Sequence, residues 1–197
     1  MIGYFCSVRH YLLPNNFVIP WECINVFSTL RMSFSDLGIS PWLLKTLSDC
    51  KLESPTEVQS ACIEPILSGR DVLACAKTGS GKTAAFALPI LEKLSRDPFG
   101  VFAVVLTPTR ELASQIADQF KLFGTNMKVR VELVTGGVDQ TKQSLLLSDL
   151  PHIIVATPGR LADLIKSNGI AHFKSLTNMI YLYLCVYTWH ILLEILQ

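Results

Sequence analysis

Residues 71–95 read DVLACAKTGSGKTAAFALPILEKLS. The short apolar run 71–76 has the length and composition of a buried strand. A glycine loop follows at 76–83 (AKTGSGKT), and then a helix is predicted over about 82–95. Strand, glycine turn and helix start are the three parts that a phosphate-gripping loop needs. Gly79 and Gly81 let the backbone approach phosphate oxygens with no side chain in the way. The first N–H groups of the helix, with ~0.5 of a positive charge from its dipole, then face the anion. Lys82 has the reach to meet β- and γ-phosphates, and the Thr83 hydroxyl is placed to hold Mg²⁺. Lys77, Thr78 and Ser80 complete the loop, and Ala76 stands where the strict pattern has its first glycine. The competing reading is a glycine-rich turn with an incidental Lys-Thr. The flanking strand and helix weigh against it.

Working outward, apolar runs and helical periodicity alternate. Ser40 followed by Pro41 signals a helix start, and that helix is predicted to run to about Ser48. A second helix is expected from Thr56 to Leu67, stopping at Gly69. Strand 101–106 leads through Pro108 into a helix with Leu112, Ile116, Phe120 and Phe123 on one stripe. Strand 129–134, a helix near 140–147, strand 153–156 and a helix at 159–167 complete the series. Strands alternating with helices imply an α/β fold: a mostly parallel sheet with helices on both faces.

Composition narrows the class. The 197 residues suffice for one domain with a substantial core. A net charge of +1 provides no broad basic field, so any polyanion site must be local. Cys6, Cys23, Cys50, Cys62, Cys75 and Cys185 form no C-x-x-C pair, which reads as reduced intracellular thiols. No basic segment opens the chain, and Arg9, His10 and Pro14 interrupt the first apolar run, so a secretory leader is not expected. Only four of the 33 Lys, Arg, Asp and Glu residues lie outside 32–174: Arg9, Glu22, Arg31 and Glu194. The expected organisation is therefore an atypical extension at 1–31, a patterned domain at 32–176 and a divergent apolar tail at 177–197.

With Ala76 in its slot, the loop resembles that of the DEAD-box RNA helicases, and four further segments agree in order. Residues 55–59 (PTEVQ) resemble the family's adenine-reading motif, with Phe34 at the upstream aromatic position. Residues 108–113 (PTRELA), Gly136–Gly137 and 157–160 (TPGR) resemble its RNA-contacting motifs. The resemblance covers about 33–176 and implies the front part of a RecA-like P-loop NTPase domain, incomplete at its C-terminus. Residues 75–95 look most like a branch linked to ribosomal RNA processing, which implies a nuclear, nucleolar location and ribosome-biogenesis partners.

The resemblance assigns ATP to Phe34, Gln59, Ala76, Lys77, Thr78, Gly79, Ser80, Gly81, Lys82 and Thr83. It assigns RNA to Pro108, Thr109, Arg110, Gly136, Gly137, Thr157, Pro158, Gly159 and Arg160. The residues themselves leave alternatives open. Gln59 carries a donor and an acceptor in one plane, matching the N6 and N7 edge of adenine, but an exposed helix glutamine is the plainer reading. Phe34 is suited to stack on a base or to fill a core. Arg110 and Arg160 follow strand-ending prolines, where an Arg suits phosphate oxygens, or are helix-terminal arginines in solvent. Gly136–Gly137 admits close backbone approach or simply makes a turn. The resemblance implies contacts with the RNA backbone rather than its bases, hence little sequence selectivity. Lys51 and Leu52 depart from the family's Gly and aromatic, which is expected to weaken that turn.

The family's next motif, Asp-Glu-Ala-Asp, should follow an apolar strand near 180–184. Here Cys185, Val186, Tyr187 and Thr188 stand in its place, and 164–193 contains no acid at all. Without a carboxylate to hold Mg²⁺ or orient water, hydrolysis is expected to be at least ~100-fold below an intact relative. The resemblance also implies a second domain that closes on RNA, and without its motifs unwinding is not expected. The tail 179–193 (MIYLYLCVYTWHILL) would span ~22 Å as a helix, short of a ~30 Å hydrocarbon core. Membrane attachment is the lesser reading. Substitution for the family's central strand, or an altered reading of the gene, is favoured. The expected function is a truncated ATP- and RNA-binding fragment, against a non-enzymatic interaction module or a C-terminally anchored protein.

Overall fold

The computed structural model describes residues 5–8, 23–24, 32–74, 76–168 and 181–183. The chain divides into two compact units, residues 1–93 and 94–197.

In the first unit, β1 (Phe5–Val8) pairs antiparallel with both β2 (Cys23–Ile24) and β3 (Asp71–Ala74). Residues 5–8 and 23–24, expected as part of an extension, are thereby joined to the strand that carries the glycine loop. The described partner of β3 is thus antiparallel rather than a member of the parallel sheet. Helix α1 (Pro41–Asp49) begins after Ser40, with Pro41 in its first turn. Contrary to expectation, the Ser40 side chain does not cap it. Its Oγ turns instead to the carboxylate of Glu92, donating to Oε1 at 2.5 Å while Ser40 N donates to Oε2 at 3.0 Å.

The far end of α1 closes as a Schellman turn: Lys51 N donates to Ser48 O and Leu52 N to Leu47 O. Lys51 stands at φ 59°, in the left-handed conformation usually left to glycine. The turn survives the substitution that was expected to weaken it.

Helix α2 (Glu57–Leu67) opens with a full capping box on Thr56 and Gln59, and Gly69, at φ 76°, closes it. Helix α3 (Lys82–Leu94) follows the glycine loop. Val58 and Cys62 of α2 and Ala85 of α3 form a small core, against which Val72 of β3 and Ala76 pack. That packing gives Ala76 a use where a glycine is usual: its methyl ties the start of the loop to the helices beside it.

The second unit is a parallel sheet in the order β5-β6-β4-β7, with β4 Ala103–Leu106, β5 Val131–Val134, β6 Ile153–Ala156 and β7 Tyr181–Tyr183. Both faces of β4 and β6 are buried at every position, as continuous runs such as AVVL and IIVA require. On one face Val104, Leu106, Val134, Ile154 and Ala156 meet Leu147 of α5 (Gln140–Ser148) and Leu161 and Leu164 of α6 (Pro158–Asn168). Helix α4 (Arg110–Phe123) packs against β5 and β6, burying Ala113, Ile116, Ala117, Phe120 and Phe123 outside that cluster. This is an α/β unit with helices on both sheet faces.

The segment β7 lies where the spacing predicts the strand before the missing acidic motif. Residues 185–188, and the rest of the tail, fall outside the described residues. Among the described residues no helix is long and apolar enough to cross a membrane.

Candidate nucleotide and nucleic-acid sites

The glycine loop takes the backbone that its sequence calls for. Gly79 (φ 76°) and Gly81 (φ 85°) are both left-handed, and a Cβ on Gly79 would meet nothing within 4 Å. Among the described residues that side of the loop is therefore open to an approaching anion. The Lys82 ammonium arches over the loop and donates to Ala76 O and Lys77 O, each at 2.7 Å. Two of its three protons are so engaged, and the amine stands at the loop it would serve with phosphate. Ser80 Oγ is buried with no hydrogen-bond partner among the described residues. A buried hydroxyl left unsatisfied costs about 1–3 kcal/mol, so an incoming oxygen there would be favoured. An open left-handed loop, an adjacent ammonium and an orphaned hydroxyl fit a polyphosphate.

The capping box joins this loop to α2. Thr56 Oγ1 donates to Ser80 O at 2.9 Å, and Gln59 Nε2 donates to Gly81 O at 3.2 Å. Gln59 Oε1 accepts from Thr56 N at 2.9 Å, and the residue is only 3% exposed. Gln59 is thus no solvent-facing helix residue. Its amide is committed at both ends to the chain, with one N–H and one lone pair left over. Phe34 is also 3% exposed and lines a depression of about 300 Å³ with Leu44, Leu47 and Leu52. Thr83 is half-buried at the start of α3. Among the described residues no three His, Cys, Asp or Glu side chains gather to hold a metal.

In the second unit, register brings three turns to one edge. Leu106 and Val134 both pair with Ala156, so Thr107, Thr135 and Thr157 follow at one level. Thr107 N donates to Ala156 O and Thr157 N to Val134 O. The PTRELA, TGG and TPGR segments therefore share the carboxyl edge of a parallel sheet, where open α/β sheets take their ligands.

Arg110, exposed at the first position of α4, extends across the glycine pair. A Cβ on Gly136 would lie 2.9 Å from its Nη2, and one on Gly137 would lie 2.7 Å from its Nη1. Pro108 and Thr109 are exposed, and Thr109 caps α4 by accepting from Leu112 N. Pro158 is buried, Thr157 half-buried and Gly159 exposed. Arg160 differs from Arg110 in being tethered: its Nε donates to Gln143 Oε1 at 2.7 Å and its Nη2 to Val138 O.

Residues 56–181 match the family model described as DEAD/DEAH box helicase. This chain belongs to that helicase family. It is 60% identical to ATP-dependent RNA helicase dbp8 of Schizosaccharomyces pombe over 139 residues, which is 71% of this chain and 31% of that protein. It is 53% identical over 143 residues to Probable ATP-dependent RNA helicase DDX49 of Homo sapiens, 73% of this chain and 30% of that one. For ATP-dependent RNA helicase DBP8 of Candida albicans the figures are 52% over 153 residues, 78% and 35%. The chain spans about a third of the length of the curated relatives it matches.

The helicase motifs thus fall in two groups, the glycine loop with Gln59 in the first unit and the three strand-end turns in the second. Single-sequence reading missed Gln143 and Glu92. The signal for Gln143 was there: it precedes the buried Leu147 by four residues, so an amide occupies the apolar face of α5.

Proposed function

We propose that this 197-residue polypeptide binds ATP at the 76–83 loop and the sugar-phosphate backbone of RNA at the strand ends of the parallel sheet, with little hydrolysis. Support for nucleotide binding comes from the open left-handed loop, the Lys82 ammonium over it and the unsatisfied Ser80 hydroxyl. Support for RNA comes from the gathering of Arg110, Gly136–Gly137 and Arg160 along one edge, and from helicase-family membership. The observation that carries the low turnover is in the sequence: no Asp or Glu lies between 164 and 193. A triphosphate in the loop would have no carboxylate from that span to fix Mg²⁺ or the attacking water, so Mg²⁺ would lean on the phosphates and Thr83. We further propose a nucleolar location and a part in ribosome biogenesis, on the likeness of residues 75–95 to that branch.

The deciding experiment measures nucleotide binding and RNA-stimulated ATP hydrolysis by the purified chain. Binding of a fluorescent ATP analogue that disappears in Lys82→Ala, with turnover at least ~100-fold below a full-length relative, is the expected result. Turnover near that of the relative would overturn the reading of the 164–193 span. Capture of ribosome-biogenesis factors without nucleotide dependence would favour a pure interaction module instead. Imaging of the tagged chain checks the location, and exclusion from the nucleolus would sink that part.

A further inference from the structure

We infer that Gln143 is a positioning residue for RNA, holding Arg160 and the glycine turn in one geometry. The inference rests on the RNA reading above and deepens it.

Gln143 is 2% exposed, and its amide is used at both ends. Nε2 donates to Thr135 O at 3.1 Å and to Leu133 O at 3.5 Å, while Oε1 accepts from Arg160 Nε at 2.7 Å. Arg160 then reaches the other side of the same turn through Nη2 and the Val138 carbonyl. The turn from Thr135 to Val138 is therefore gripped at both ends, by Gln143 at its start and by Arg160 at its close. Arg110 lies across the two glycines in between.

The arrangement has a chemical logic. A guanidinium has five N–H donors in a rigid plane. With Nε and one Nη2 proton engaged by neutral acceptors, that plane is fixed and, among the described residues, three donors remain. The full positive charge also remains, because neither acceptor is a carboxylate. A Glu at 143 would hold the plane and cancel the charge. A lysine at 160 would keep the charge and lose the plane. Glutamine is the side chain that accepts from Arg160 and donates to Thr135 without adding charge.

The test uses the full chain, a short fluorescent oligouridine read by anisotropy, and a fluorescent ATP analogue. Gln143→Met, of nearly equal volume, is expected to weaken RNA binding roughly 3- to 10-fold with ATP binding unchanged. Combined with Arg160→Ala it should add little further loss, since both changes remove one arrangement. A merely structural role would cost the same factor with or without Arg160. Arg160→Lys supplies a second arm should Gln143→Met fail to fold, and it is expected to lose nearly as much RNA affinity as Arg160→Ala despite its charge. Additive losses in the double variant, or RNA binding at the unmodified level in either Gln143→Met or Arg160→Lys, would overturn the inference. If Arg160→Ala itself leaves RNA binding untouched, the RNA reading fails first.

Discussion

Gln59 and Gly81 are packed so closely that a Cβ on Gly81 would overlap the Gln59 amide nitrogen. Gly81 is also left-handed, so two separate constraints forbid a side chain there. Gly79 shares only the second, having open space around it. Gly79→Ala should therefore cost about 1–2 kcal/mol for its backbone conformation alone. Gly81→Ala should cost more, and should weaken binding of an ATP analogue by displacing Gln59. Urea unfolding and nucleotide titration of the two variants check this, and equal effects would contradict the role given to Gln59.

Ser40 carries a second testable link. Because its hydroxyl serves the buried Glu92 rather than the helix end, Ser40→Ala should lower stability by about 1.5–3 kcal/mol, as loss of a hydrogen bond to a carboxylate does. The helical signal of the folded protein should not change. Thr56→Ala, by contrast, removes a true cap and should cost about 1 kcal/mol together with the link to Ser80 O. A neutral Ser40→Ala in chemical denaturation would refute the pairing.

Lys51 offers a gain. A left-handed non-glycine residue costs about 1–2 kcal/mol, and glycine gives back about 0.5–1 kcal/mol in chain entropy. Lys51 is exposed, and only its backbone N–H enters the turn. Lys51→Gly should then stabilise the chain by roughly 0.5–1 kcal/mol. A lower melting temperature would speak against it.

Stability should also depend on His152. Arg130 N donates to its Nδ1 at 3.2 Å, and Arg130 Nη2 lies 3.3 Å from its Nε2, so donors face both ring nitrogens. Burial first, and then the Arg130 charge, hold the ring below its ordinary value of 6.5. A depressed histidine is protonated more readily when unfolded, so its stabilising contribution is complete above pH 6.5 and is lost as the pH falls below that value. Urea midpoints at about pH 7.5 and about pH 5.5 should differ, and His152→Gln, which keeps an acceptor without titrating there, should shrink the difference. An unchanged difference in the variant would rule His152 out as the cause.

The contrast between Arg110 and Arg160 shows what one sequence can reveal. Both follow a strand and a proline, and local chemistry alone gave them the same two readings. Which one lies over glycines and which is tethered depends on α5 and on the turn after β5, neighbours set by register rather than by adjacent residues. The helices were legible because 3.6-residue periodicity and their start signals are local. The pairing of β1 with β3 was not, since nothing near residues 5–8 marks residues 71–74 as a partner. Gln59 was legible as important but not in its orientation, because an amide suits a ligand edge and a neighbouring backbone equally well.

The levelled threonines Thr107, Thr135 and Thr157 set a rule for how this unit tolerates insertions and deletions. Each interstrand bond at that edge fixes the residue count from strand to turn, so adding one residue inside β6 would push Thr157 off Val134 O and rotate its side chains to the opposite face. Extra residues in the exposed bend near Asp97 would disturb neither. Length variation among related chains should accordingly collect in the amino-edge loops and spare every position from strand to arginine.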